Sequence, residues 1–291
     1  VTDVAVDFIQ KNSQAIKFFL FVHYWDCHFP HCRPLTWTSV LLDPVERRYD
    51  AEISFIDQQI ERLMRALEKR GVRDETLVII TSDHGESLIE HGIYCAHRGL
   101  YDNVIRVPLI LNYSGLPRGK RIQSLVQHVD VVPTILDIVG EPTDQLFDGN
   151  SLMPLINGQK PRWRTAIYCE DLHPPSITIR AYRKRAIRTK THKYIQTFRG
   201  GEYLLEAFLD RRYCSLEEEE LYDLKNDPYE RKNIIASERE LADNLQWRLE
   251  KLIESIRLRS NLLAEQDTRA NSYKESEEEK VLDRLEQLGY L

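Results

Sequence analysis

Apolar positions in the first part of the chain fall into two rhythms. "VTDVAVDFIQKN" spaces them at three and four residues, the period of an amphipathic helix, with Thr2 as a candidate cap. "KFFLFVHY" follows, an apolar run of strand length that stops at a polar loop, as a buried parallel strand does. Helical spacing returns in "YDAEISFIDQQIERLMRALEKRG", where Ile53, Ile56, Ile60, Leu63 and Leu67 share a face and Gly71 supplies a stop. "ETLVIITS" and "VPLILNYS" are further strand patterns, and "DVVPTILDIVG" is a short helix ended by Gly140. Strands alternating with helices predict an α/β fold whose central sheet is largely parallel and flanked by helices. Ligands of such sheets gather beyond the carboxyl ends of the strands.

The texture changes near residue 161. "TAIYCED", "RAIRTKTHKYIQTF" and "EELYDLKNDP" are shorter strand patterns separated by turns, and "ERELADNLQWRLEKLIESI" is an amphipathic helix. They predict a smaller antiparallel sheet with a packing helix over 161–258, after a core portion over 1–160. Residues 259–291 form a charged tail, helical or partly disordered.

Chemistry concentrates at two strand ends. "HYWDCHFPHC" offers six potential donors, His23, Asp26, Cys27, His28, His31 and Cys32, and "SDHGE" sets Asp83 and His84 side by side. An acidic oxygen beside an imidazole is half of a divalent-metal site. A zinc site within the first stretch lacks the second ligand pair that structural zinc sites use. Bulk properties narrow the partners. With 40 basic against 46 acidic residues the net charge is −6, which gives no support to nucleic-acid binding. No apolar run reaches membrane-spanning length. The five cysteines, none in a C-x-x-C pair, fit scattered thiols of a reducing, cytoplasmic compartment.

Residues 51–111, with "TSDHGE" and "HRGLYDNVIRVPLI", closely resemble the sulfatases of the alkaline-phosphatase superfamily. "FFLFVHYWDCHFP", "LVQHVDVVPTILDIVG", "DGNSLMPLI" and "ELYDLKNDPYERKN" follow in the family's order. The resemblance implies an alkaline-phosphatase-like fold and metal-dependent hydrolysis of a small-molecule or saccharide sulfate ester. It makes Asp83 and His84 metal ligands. Ca²⁺ is the expected ion, and because many relatives carry Asn at the second position, His84 leaves Mn²⁺, Mg²⁺ or Zn²⁺ open. His28, in "HFP", becomes the catalytic general acid and substrate contact. His97 becomes a second catalytic and substrate-binding group, and His23 a supporter. Arg98 is expected in a structural ion pair.

The family attacks with a formylglycine made from Cys or Ser in C/S-x-P-x-R. "CRPLT" at Cys32 has Thr36 where Arg is needed and follows the catalytic loop, so this chain holds no nucleophile. The family's early Asp-Asp metal pair is missing as well. These gaps imply the C-terminal portion of a longer sulfatase, with the formylglycine in preceding sequence. Two alternatives stay open: a phosphonate monoester or phosphodiester hydrolase of the same superfamily, and a catalytically inactive sulfatase-like binding domain. Neither the substrate's organic half nor the oligomeric state is specified.

Overall fold

The computed structural model describes residues 1–11, 17–29, 31, 44–142, 147–173, 182–200 and 214–267. Helix α1 (Thr2–Lys11) packs against the long α2 (Val45–Arg70) through Ile9, Ala66 and Leu67. Thr2 does not cap α1. It lies inside the first turn, buried, with its hydroxyl bonded to that of Tyr24 at 3.1 Å. Helix α2 ends as its sequence predicts. Gly71 takes the left-handed conformation (φ 75°) that side chains disfavour, and the chain's amides return to the Leu67 and Glu68 carbonyls. The buried line along α2 is Val45, Glu52, Gln59 and Ala66, and Ile53 from the predicted apolar face is exposed.

Strand β1 (Val78–Thr81) follows, then a short helix α3 (Asp102–Ile105) and β2 (Leu109–Asn112). The pair β1–β2 is antiparallel, with Val78 opposite Asn112 and Thr81 opposite Leu109. The expected central sheet is largely parallel, and this pair does not supply a parallel ladder. A parallel return needs a crossover, usually a full helix, whereas residues 82–108 hold only single helical turns and fold straight back. Among the described residues no parallel ladder is present. "FFLFVHY" is extended but joins no ladder, and Phe19 and Phe21 stand 81% and 78% exposed. The run has strand propensity, and among the described residues no strand accepts its backbone hydrogen bonds. Helices α4 (Val131–Val139) and α5 (Met153–Ile156) complete this part.

The antiparallel sheet expected after residue 161 is present. Strands β3 (Ala166–His173), β4 (Tyr182–Thr189), β5 (His192–Gly200) and β6 (Cys214–Asp223) form a meander in chain order. Alternation of side chains serves both faces. Ile187, Tyr194 and Leu221 point to one face and pack on Leu245, Leu249 and Ile253 of α6 (Arg239–Asp267). Ala186, Ile195 and Tyr222 point to the other and pack on Leu100 and Tyr101, from the segment just before α3. The tail beyond residue 267 lies outside the described residues.

Polar pins reinforce that second face. Fully buried Lys193 of β5 lies 2.6 Å from Asp102 and 2.7 Å from Glu230, and Arg188 adds a second cation on Asp102 at 2.7 Å. Although burial opposes ionisation, Arg188 and Lys193 hold the Asp102 carboxyl down at about 2. Burial pushes the Glu230 carboxyl the other way, upward, against the pull of the same Lys193.

Candidate active site

Three sequence-distant segments meet beyond the end of β1. The first is the turn Trp25–Phe29, where the His28 amide bonds to the Trp25 carbonyl at 3.3 Å. Its backbone is strained. Cys27 and His31, on either side of His28, hold positive φ of 73° and 53°, a conformation costly for residues with a side chain. A buried pair sustains the strain: His31 Nδ1 and Glu52 Oε2 of α2 lie 2.9 Å apart, both nearly inaccessible to solvent.

The second segment is Asp83–Glu86. Gly85 donates its amide to the Val104 carbonyl at 2.7 Å, and a Cβ there would stand 2.1 Å from the Asn103 carbonyl oxygen. Only glycine permits this approach, and the approach sets His84 against the third segment. That segment is folded back by reciprocal backbone bonds between Ser87 and Ala96, both 3.1 Å, which bring His97 beside His84. Gly99 then anchors it to β3 by donating its amide to Asp171 Oδ2 at 2.9 Å.

The outcome is a triangle of imidazoles. His84 and His97 stack with centroids 4.2 Å apart, and His28 lies 5.5 Å from His97 and 6.2 Å from His84. Trp25 backs His28 at 4.5 Å. The Nδ1 atoms of His28 and His84 lie 2.8 Å from the Phe29 and Gly85 carbonyls. A carbonyl only accepts, so both rings carry their proton on Nδ1 and present Nε2 as the working atom. His97 is held well below the ordinary histidine range, at about 4, by burial and then by the His84 and His28 rings. It is therefore a neutral imidazole at neutral pH.

Four of the five predicted site residues, His28, Asp83, His84 and His97, are thus brought together. His23 is exposed, with its ring 6.3 Å from Phe21 rather than in the triangle. Arg98 makes no ion pair among the described residues, contrary to expectation. Cys32 and Pro30 lie outside the described residues. Burial, with help from Glu52, Asp26 and Glu86, pushes the Cys27 thiol up to about 12, so it is no nucleophile at neutral pH.

Sequence reasoning missed two acids. Glu86 is buried beneath the histidines, its carboxyl pushed up by burial against the pull of His31, His28 and His84. Glu52 was legible only as a polar position on α2. Its one signal was a carboxylate on the line that α2 buries, and that line is visible only once α2 has packed.

The residues fit a divalent cation in part. His84 Nε2 and Asp83 Oδ2 are 3.7 Å apart. Two ligands of one cation sit roughly 3 to 4 Å from each other. The bond from Nδ1 to a carbonyl is the support that metal-bound imidazoles usually have. No group of three or more metal-type side chains forms among the described residues, which at this position offer two donors.

Comparison with known proteins places the chain in a family. The family model "Sulfatase" matches residues 1–141, and "N-sulphoglucosamine sulphohydrolase, C-terminal" matches residues 89–257. The chain is 33% identical over 195 residues to the N-acetylglucosamine-6-O-sulfatase of Bacteroides thetaiotaomicron, covering 65% of this chain and 32% of that one. A solved structure of BT4656 in complex with its substrate, D-glucosamine-2-N,6-O-disulfate, superposes with a TM-score of 0.59 at 28% identity, covering 77% of this chain and 43% of that one. In fold the chain also matches the phosphonate monoester hydrolase of Silicibacter pomeroyi, with a TM-score of 0.58 at 24% identity over 78% of this chain and 44% of that one. The chain spans about a third to two fifths of the length of the first curated relatives it matches. With one model over its first half, a second over more than half of its length, and the imidazole triangle at the end of β1, the chain belongs to the sulfatase family of the alkaline-phosphatase superfamily.

Proposed function

We propose that this chain supplies the acid–base wall and half of the metal site of a sulfuric ester hydrolase acting on a sulfated saccharide. The observation that carries the reading is the convergence of His28, His84 and His97 within 6.2 Å in a chain of the sulfatase family. The saccharide class is inferred from relatives whose names specify N-acetylglucosamine 6-O-sulfate and glucosamine disulfate chemistry.

His28 Nε2 takes up a proton and gives it to the bridging oxygen as the alcohol leaves, a transfer worth about 10²–10⁴ in rate. Neutral His97 donates a hydrogen bond to a non-bridging sulfate oxygen, where negative charge gathers. Trp25 holds the His28 ring from behind, and the His31–Glu52 pair fixes the turn that presents it. Asp83 and His84 would hold the cation, Ca²⁺ by family preference, which polarises the sulfuryl group when bound. The nucleophile, a formylglycine in this family, belongs to sequence outside this chain. On the same reading residues 1–160 are part of the catalytic core and 161–258 a smaller subdomain. The extended Phe18–His23 run, joined to β1 through α2, is then a parallel neighbour of β1 in the complete sheet.

His28→Ala in the complete enzyme is expected to lower kcat on a sulfate monoester at least 100-fold with KM changed little. An unchanged kcat with a raised KM would overturn the general-acid role. A second reading, phosphonate monoester hydrolysis, is favoured by imidazoles at both 84 and 97. Higher kcat/KM on a phosphonate monoester than on the matched sulfate would establish it instead.

A further inference from the structure

A groove on the C-terminal subdomain shares no residue with the imidazole triangle. It has a volume of about 580 Å³ and runs between the segment leading into β3 and one face of α6. Its lining includes Arg162, Trp163, Arg164, Trp247, Arg248 and Lys251, and no acidic side chain. The size is that of a small-ligand cleft.

The two walls differ in rigidity. Trp163 is fixed: its indole N–H donates to the Leu125 carbonyl at 2.7 Å, and the Arg164 guanidinium lies 5.1 Å over its ring. Arg164 is held in turn by buried Asp130, at 2.5 and 2.6 Å, so its charge is already spent. The facing wall is α6, where Trp247 is 62% exposed and its indole N–H has no partner among the described residues. Among the described residues Arg248 makes only a 3.3 Å bond to the Thr165 hydroxyl, and exposed Arg162 makes no ion pair. Lys251 shares its charge with Glu254 at 2.7 Å. The groove thus offers two guanidinium forks that have no carboxylate partner among the described residues, together with a rigid and an exposed indole.

Guanidinium forks match the paired oxygens of sulfate and carboxylate groups. Indole faces suit a ligand that is apolar on its flat side and polar at its rim, as a pyranose ring is. A bare inorganic anion would leave the indoles unused. A nucleic acid would need a longer basic track than two arginines on a chain of net charge −6. We infer that the groove formed by Arg162, Trp163, Trp247 and Arg248 is a second binding site, one that holds a sulfated oligosaccharide by its rings and anionic groups. The inference rests on the saccharide reading proposed above for the histidine site.

The test is calorimetric titration of the purified protein with a hexasaccharide of alternating uronic acid and N-,O-sulfated glucosamine. Arg162→Ala/Arg248→Ala is expected to weaken binding at least tenfold and to flatten its salt dependence. Trp247→Ala should weaken it about fivefold with the salt dependence kept, and Trp247→Phe should restore most of the loss. His28→Ala/His97→Ala should leave this binding unchanged. Thermal melting of each variant confirms that it is folded. Binding that survives both groove substitutions in the His28→Ala/His97→Ala background overturns the site. So does equal affinity for the unsulfated hexasaccharide, or for an oligonucleotide of equal charge. Turnover of a small sulfate ester by the complete enzyme reports on the histidine site alone, so loss of the proposed activity and loss of groove binding are read separately.

Discussion

The two parts of this molecule are held in opposite ways. Around β3–β6 and α6 the core is closed and dry: Ile187, Tyr194, Ile195, Leu221, Ala242 and Leu249 have no solvent exposure. Around β1 and β2 the apolar pattern is as strong, yet Phe19, Phe21 and Ile110 face outward. The part with the chemistry is secured by polar pins instead, the His31–Glu52 pair, the Gly99–Asp171 bond and the Lys193 network. An apolar core fixes a surface only loosely in register, whereas a paired buried charge has one acceptable geometry. The pins suit a site that must hold three rings within 6.2 Å.

This contrast can be broken by experiment. Lys193→Met should cost most, because it strands buried Glu230 without its cation and leaves Asp102 to Arg188 alone, and a loss of about 3–5 kcal/mol in denaturant unfolding is expected. A loss below about 1 kcal/mol would mean that the two parts are joined by apolar packing alone.

Acid should act next. The Asp102 carboxyl is held at about 2 in the fold, below its ordinary 3.8. The stability it contributes is therefore complete above pH 4 and lost as pH falls toward 2, by about 2 kcal/mol. Unfolding curves between pH 5 and 2 measure this, and Asp102→Asn should flatten that stretch of the profile. The raised Glu230 has the opposite sign and cannot mimic the effect, since protonating it on acidification favours the fold.

The smallest effect sharpens the contrast from the other side. Phe19→Ser should change stability by less than about 0.5 kcal/mol, as surface substitutions do. A cost above about 1.5 kcal/mol, measured the same way, would show that the phenyl ring is buried in solution.

What was legible in the sequence was local. Gly71 and Gly140 end their helices, the alternation in "RAIRTKTHKYI" gives β4 and β5, and Asp83–His84 follow β1 directly. What was not legible depends on partners remote in the chain. "FFLFVHY" has a strand's composition, but a ladder needs a neighbour that composition does not name. The direction of β2 is decided by the return through residues 82–108, whose tight path turns on the contact between Gly85 and Asn103. Glu52 and His31 are 21 residues apart and look like a surface acid and a loop histidine until α2 brings them together. Glu86 sat in a recognised motif and was still missed, because its importance is burial, which the motif does not encode.

The bond from the Gly99 amide to Asp171 has a consequence in time as well as in space. It ties the His97 loop to β3, a strand of the closed sheet, so the loop cannot open fully while β3 holds its place. In deuterated solvent the Gly99 proton should exchange with the slow sheet amides of Ile187 and Ile195, not with the fast amides of Tyr94 and Gly92. The lifetime of the His97 loop is then set by the opening of the sheet that holds it, and a mutation far from any histidine can shorten it.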